Sequence, residues 1–339
     1  MKKIKLTVSG GEQASSLFLR QTPGCHGIWG DCEFTINTDE RGTHYDWWFV
    51  LHISALIKTQ SEMCDPRHLV FMSMEPTESV GNSTHGFLCQ FKKLVLTDSS
   101  YIKDFNCLVR NAITWWVGVT VSKLNGLHRF SEIKFDYDSL SAFKPNSNKI
   151  DRISLVVSNK RKLPGHRKRL EFIEFLKNSR IAHLIDIYGD GYIPVDDKWQ
   201  VLSPYKYHLV LENCSMDNYW SEKLGDAFLG YCYPIYFGCT NIDEFFPINS
   251  LTQIDLDYPE DCIANIESAL ASKVYENNLN WICESRDMIL NKYNIFNLMD
   301  SIATTNAQNF SLCTIHPNRF FLFEYILKKI KNYFKNTLN

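Results

Sequence analysis

The stretch "YKYHLVLENCSMDNYWSEKLGDAFLGYCYPIYFG", Tyr205 to Gly238, reads as a strand, a polar turn, an amphipathic helix and a second strand. The apolar run ends at Glu212-Asn213, and Leu224 and Phe228, four apart, mark one buried helical face. Asp217 or Asn218 can cap that helix, which opens at Glu222-Lys223. A lysine in a first turn sits at the positive end of the helix dipole. That placement is unfavourable by roughly 0.3–1 kcal/mol unless an anion lies nearby. The position asks for an anion.

The same alternation continues upstream. "ISLVVSN" reads as a buried strand, "HRKRLEFIEFLKN" as a helix and "HLIDIYGDG" as a strand. Strands alternating with helices predict a parallel sheet covered on both faces. Ligands of such sheets bind beyond the carboxyl ends of the strands, where Ser158-Asn159 and Glu212-Asn213 fall. Residues 259–308 read as mainly helical. Toward the N-terminus, "DWWFVLHISAL" and "RHLVFMSME" are strand-like among helical stretches. A chain of 339 residues favours about two domains. The polar, proline-bearing Ser141–Arg152 is the expected linker, and two α/β domains facing each other across a cleft are the expected architecture.

The composition, 45% hydrophobic and 22% charged, is that of a globular protein. A net charge of -2 and a pI near 6.6 exert no global pull on nucleic acid, so any basic site is local. Eleven scattered cysteines without a CxxC pair argue against a zinc ribbon and for reduced thiols in the cytosol. No apolar run reaches membrane-spanning length, and the N-terminus lacks a signal-peptide core. The end of the chain differs. Phe320, Phe323, Leu327 and Ile330 lie at helical spacing among Lys328, Lys329, Lys331 and Lys335. Such a basic amphipathic helix can rest on an anionic membrane or simply pack on the body of the protein.

Three constellations could carry chemistry. Between Lys160 and Arg169, six cations lead into a helix N-terminus, a ready anion site that lacks the interleaved aromatics of a base-stacking surface. With Lys223 at a neighbouring strand end, two cationic sources could converge on a diphosphate. Glu75, ahead of Pro76 at a strand end, is placed to act as a general base, with Glu78 as its competitor. The pairs Asp136/Asp138 and Asp255/Asp257 have a spacing that can hold a divalent metal. The histidines show no ligand spacing. Trp47-Trp48 and Trp115-Trp116 could stack on sugars, although alternation along a strand would send one of each pair into the core.

From Tyr205 to Pro247 the residues resemble the signature of the α-1,3/4-fucosyltransferases, glycosyltransferase family ten. Tyr205-Lys206-Tyr207, Glu212-Asn213, Tyr219, Glu222-Lys223, Pro234, Gly238 and Phe245-Phe246-Pro247 follow it in order. Upstream, Ser158-Asn159 precedes an arginine that opens a helix, with Arg169 the best match and Arg167 the runner-up. The resemblance spans about residues 153–257, and "FMSMEP" is similar to the strand ending in the family's catalytic glutamate. Trp220-Ser221 stands where the family has Val-Thr, and Met72 and Met74 where an aromatic is frequent.

The resemblance implies an α/β GT-B fold with two Rossmann-like domains facing across a cleft. These would be an acceptor-binding domain over 1–145 and a nucleotide-sugar domain over 146–315, followed by the basic helix over 316–339. It implies an inverting bacterial-type glycosyltransferase moving L-fucose from GDP-fucose to a glycan hydroxyl, as an α-1,3 linkage on a lipopolysaccharide or capsule precursor. Glu75 would take the acceptor proton, and Arg169 and Lys223 would stabilise the departing diphosphate. Glu222 would bind sugar or ribose hydroxyls, while Asn213 and Tyr219 would line the nucleotide pocket. No cofactor is required in this reading; a divalent metal would at most stimulate. The location implied is cytoplasmic, at the inner face of the inner membrane, with no nucleic-acid partner. The alternatives keep the fold with another nucleotide sugar, or with sugar or nucleotide binding and no catalysis.

Overall fold

The computed structural model describes residues 1–38, 42–76, 83–100, 102, 104–124, 127–161 and 164–322. Two compact units emerge. The first comprises Met1–Leu19, His26–Arg110 and Met299–Asn339; the second comprises Arg20–Cys25 and Asn111–Leu298.

In the first unit the strands are β1 (Lys2–Thr7), β2 (Ile28–Trp29), β3 (Cys32–Ile36), β4 (His44–Tyr45), β5 (Trp47–Leu51), β6 (Gln60–Cys64), β7 (Leu69–Ser73), β8 (Lys93–Leu96) and β9 (Cys107–Val109). Seven of them form one sheet in the order β2-β3-β1-β5-β7-β8-β9. It is parallel throughout except at the β2–β3 edge. A smaller sheet joins β4, β6 and the late strand Ser311–Ile315. Strands β5 and β7 are almost wholly buried, which their unbroken apolar sequences require in a sheet covered on both faces. Trp47 and Trp48 are therefore both core residues rather than one core and one sugar platform. Trp47 stacks on His68 with centroids 3.9 Å apart, and its indole N–H donates to the Thr305 carbonyl. Glu75 lies exposed, two residues beyond the carboxyl end of β7.

The second unit carries a hairpin, β10 (Val119–Leu124) with β11 (Leu127–Ile133), and a five-stranded sheet. The sheet strands are β12 (Ile150–Val157), β13 (Ile185–Gly189), β14 (Tyr205–Leu211), β15 (Tyr233–Phe237) and β16 (Thr252–Gln253). Their order is β13-β12-β14-β15-β16, parallel at every step, as the alternation predicts. The helix Pro164–Lys177 follows β12, and the helix Glu222–Leu229 connects β14 to β15. Pro234 can sit in β15 because its missing N–H falls outside the short pairing of Ile235 and Tyr236 with β16. Leu155, Ile173, Leu209, Leu224, Phe228 and Ile235 belong to one continuous core. Helices Pro259–Ala271, Leu279–Leu290 and Ile295–Ile302 fulfil the helical reading of residues 259–308.

Two parallel α/β units are thus present, each of the Rossmann-like type expected. The boundaries differ from 145/146 and 315/316. The segment read as a linker does not part the units, because it is tied into the second one. Phe143 packs on the core there and its carbonyl accepts from the Tyr231 hydroxyl at 2.9 Å. The strand Ser311–Ile315 pairs with β6 of the first unit. Most of the basic C-terminal segment, residues 323–339, lies outside the described residues.

Lys149, in the supposed linker, is only 7% exposed. Its ammonium donates to the carbonyls of Leu202 at 3.2 Å, Tyr205 at 2.8 Å and Gly230 at 2.7 Å. It thereby ties together two helix ends and the start of β14. Lys149→Met should lower the unfolding free energy by about 2–4 kcal/mol, since three buried carbonyls lose a charged donor. Urea denaturation checks this, and an unchanged midpoint would refute it.

Candidate active site

The site is built where β12 and β14 end. The side chain of Glu212, the first residue past β14, has no exposed surface. Burying a carboxylate is costly unless it is paired and hydrogen-bonded. The Ser221 N–H reaches Oε1 at 2.8 Å, the Ser221 hydroxyl lies 2.7 Å from Oε2, and the Lys223 ammonium stands 3.2 Å from Oε2. The anion that the lysine asks for is therefore supplied within the chain. Gly238, after β15, makes room for it: a Cβ there would meet Glu212 Cγ at 2.5 Å.

Ser221 is also the helix cap. Its hydroxyl accepts from the Lys223 N–H at 3.3 Å and from the Lys223 ammonium at 3.0 Å. This corrects the expectation that Asp217 or Asn218 caps the helix, because both are engaged elsewhere. Asp217 accepts from the Thr240 hydroxyl, and the Asn218 N–H donates to Asn241 Oδ1 at 2.8 Å. Asn218 also adopts φ 61°, outside the extended geometry of a cap.

The helix Pro164–Lys177 brings in the second cation. Arg169 is 4% exposed, and its Nη1 donates to Asn213 Oδ1 at 2.8 Å. Burial pulls the guanidinium below its ordinary range, against the opposing pull of Glu212. Arg167, the runner-up from sequence, is exposed. The helix start abuts the β14 turn: a Cβ on Gly165 would lie 1.6 Å from the Asn213 carbonyl oxygen. Burial, followed by the charges of Arg169, Lys160 and Lys223, pushes the His166 imidazole below its usual value. Arg169, Lys160 and Lys223 thus all lie close enough to this imidazole to act on its charge.

Glu222 is 31% exposed. Burial raises its carboxyl pKa, but Lys223 and Lys198 outweigh that and hold it near about 2. Burial opposes the charge on Lys223 too, and the carboxylates of Glu212 and Glu222 overcome it, leaving its pKa above the usual lysine range. Tyr219 is buried at 2% exposure, close enough to Arg169 to influence its charge. Of the candidate residues, the second unit gathers Arg169, Asn213, Tyr219, Glu222 and Lys223, whereas Glu75 belongs to the first unit and Glu78 lies outside the described residues.

Sequence reasoning missed the part played by Ser221, His166, Lys198 and Asp226. The polar turn before the helix was the only local signal, and it pointed to Ser221 no more than to Asp217 or Asn218. The Asp pairs do other work. Asp136 caps the helix Tyr137–Ala142, and Asp138 accepts from the Gly24 N–H at 2.7 Å. Asp257 pairs with Lys168 at 2.7 Å, and Asp255 accepts from the Asp257 N–H at 3.0 Å. No group of three metal-ligating side chains occurs among the described residues. A cavity of about 420 Å³ opens beside the site, lined by Ser215, Gly238, Thr240, Asp255, Tyr258 and Asp261 among others.

Residues 146–313 match the family model described as glycosyltransferase family 10 (fucosyltransferase), C-terminal part. The resemblance read from the motif thus holds over that segment. A putative fucosyltransferase-like protein of Arabidopsis thaliana is 30% identical over 118 residues, 33% of this chain and 21% of that protein. An α-(1,4)-fucosyltransferase of the same plant is 40% identical over 50 residues, 15% of this chain and 12% of that protein. The chain therefore spans only a minor part of these relatives. An α1,3-fucosyltransferase crystallised with GDP is 19% identical, with a TM-score of 0.46 over 85% of this chain and 90% of that one.

Gly165→Ala should cost about 2–3 kcal/mol of stability, because the obstructing atom is backbone and the helix must move off the Asn213 turn. The same shift would part Arg169 from Asn213, so affinity for pyrophosphate should fall with it. Denaturation and calorimetry on one sample test both, and a neutral variant would disprove the close approach.

Proposed function

We propose, from the premise that residues 146–313 form a glycosyltransferase family ten C-terminal domain, that this chain is an inverting fucosyltransferase using GDP-fucose. One observation carries the reading. The family segment gathers Arg169, Asn213 and Lys223 at the carboxyl ends of two adjacent parallel strands, where such sheets bind nucleotides.

In this reading the acceptor hydroxyl attacks the anomeric carbon of fucose in one displacement. The bond to the β-phosphate oxygen breaks, the acceptor proton passes to Glu75, and the developing negative charge falls on the diphosphate. Arg169 and Lys223 meet that charge, each contributing on the order of 3 kcal/mol. Two cations fixed by Asn213 and Glu212 can serve the leaving group without a metal. Glu222 takes ribose hydroxyls, and Asn213 with Tyr219 bounds the nucleotide. An α-1,3 linkage on a lipopolysaccharide or capsule precursor is the finer assignment.

Calorimetric titration should show GDP and GDP-fucose binding, with GDP-mannose weaker and UDP-galactose silent. Preference for a uridine nucleotide would keep the phosphate site and remove fucose. Glu75→Gln should lower turnover roughly a thousandfold with GDP affinity unchanged. Retained turnover would take Glu75 out of the base role, and nucleotide binding without any turnover in the wild type would favour a binding protein.

The C-terminal segment is proposed to hold the enzyme to an anionic membrane surface at the cytoplasmic face. Phe320 and Leu322, at its start, are 55% and 41% exposed. A chain ending at Asn318 should lose sedimentation with phosphatidylglycerol vesicles while keeping activity on a soluble acceptor. Equal sedimentation of both chains would make the segment structural.

A further inference from the structure

Five charged side chains alternate in sign along the start of the helix Glu222–Leu229. Lys223 stands 3.2 Å from Glu212 and 3.7 Å from Glu222. Lys198 stands 3.9 Å from Glu222 and 2.7 Å from Asp226. The two ends of the series are buried, Glu212 at 0% and Asp226 at 1% exposure, whereas Glu222 in the middle is 31% exposed. Both lysines make their nearest approach to the same oxygen, Oε1.

Lys198 and Asp226 are the members that neither the motif nor the proposed function includes, and the fold fixes Lys198 twice. Its backbone follows Asp197, a 2% exposed residue whose Oδ1 accepts from the Gly118 N–H at 3.0 Å and the Trp199 N–H at 2.9 Å. Its ammonium is hydrogen-bonded to Asp226 Oδ2, while Asp226 Oδ1 accepts from the Trp116 N–H at 3.0 Å. A lysine side chain costs roughly 1.5–2 kcal/mol of rotamer entropy to immobilise, and here the buried aspartate offsets that cost during folding.

The consequence falls on Glu222. Separations of 3.7 and 3.9 Å are close enough for Coulomb attraction yet too long for hydrogen bonds, so the lysines orient the carboxylate and use little of its acceptor capacity. An ionised carboxylate offers about four acceptor positions. A vicinal diol presents two O–H donors side by side, which such a carboxylate can accept together. Accepting both well requires the side chain to be charged and already in place, because an ordered receptor spends less of the binding energy on ordering.

We infer that Lys198, anchored by Asp226, is a positioning residue that holds the Glu222 carboxylate ready for the cis-diol of the donor's ribose. The inference rests on the proposed reading of Glu222 as a ribose-binding residue, and adds residues outside the family motif to it. Lys198 touches no ligand in this scheme; it acts through Glu222. Lys223 works on two fronts, toward the diphosphate and toward Glu222. Lys198 has only the second task, so its replacement should leave the phosphate contacts intact.

The test compares GDP with 2′,3′-dideoxy-GDP by calorimetry. The wild type should bind GDP more tightly. Lys198→Met should lower GDP affinity about tenfold, the scale of one charge-assisted hydrogen bond, and leave dideoxy-GDP affinity unchanged. Lys198→Arg should restore most of the preference. Because the single replacement leaves Asp226 buried without its cation, Lys198→Met/Asp226→Asn is measured beside it. The double variant should melt near the wild type and show the same selective loss. Equal losses for both nucleotides, or none for either, would overturn the inference and leave Lys198 as a structural brace. A wild type that binds GDP but does not distinguish the two ligands overturns it too, while the donor reading stands. A wild type that binds neither overturns both.

Discussion

The second unit is organised around a carboxylate that water cannot reach. Removing one partner of a buried ion pair typically costs about 3–5 kcal/mol, so the surroundings of Glu212 are tightly constrained. Ser221 must place both its N–H and its hydroxyl on the carboxylate, and this fixes where the following helix begins. Lys223 is then held at the first turn, a position it would otherwise disfavour. Residue 238 must lack a side chain, because a Cβ would strike Glu212. Arg169 approaches from the other side through the Asn213 amide and the close contact at Gly165. Positions far apart in sequence thus meet one electrostatic requirement, which gives the motif residues a physical reason for their order.

That constraint explains what could be read in the sequence. Strands β12, β14 and β15 announced themselves as unbroken apolar runs because the sheet is covered on both faces, and chain order then gave the parallel topology. The helix Glu222–Leu229 was legible from Leu224 and Phe228, and Arg169 from its place in a helix after a strand end. The cap was not. Ser, Asp and Asn are near-equivalent caps in isolation, and only the contacts of Asp217 with Thr240 and of Asn218 with Asn241 remove them. The Trp47-Trp48 pair misled for a related reason: alternation separates a core face from a solvent face only where the sheet has one.

The remaining gaps come from distance along the chain. Lys198 precedes Asp226 by 28 residues, with a short helix, a strand, the polar turn and the start of a second helix between them, and no periodicity relates the two. Lys149 looked like part of a polar linker because its sequence neighbours are polar. Its three acceptors come from residues 202, 205 and 230, all brought to it by the fold. Local sequence reports propensity and amphipathicity well. It reports nothing about which distant carbonyl or carboxylate a lysine will meet.

The alternation of charge also bears on how the site would handle a diphosphate. Three carboxylates and two ammonium groups stand in the series, and Arg169 and Lys160 add positive charge at its edge. The balance is close to neutral. Such a site would draw a nucleotide weakly from a distance and grip it mainly at contact, through donors already oriented by Glu212 and Asn213. A cluster of unpaired lysines would bind the leaving diphosphate as strongly as the donor, and slow product release would then limit turnover. Pairing each lysine of the series with a buried carboxylate keeps its geometry and moderates its charge. In the proposed reaction Glu212, which the fold must satisfy in any case, would temper Lys223.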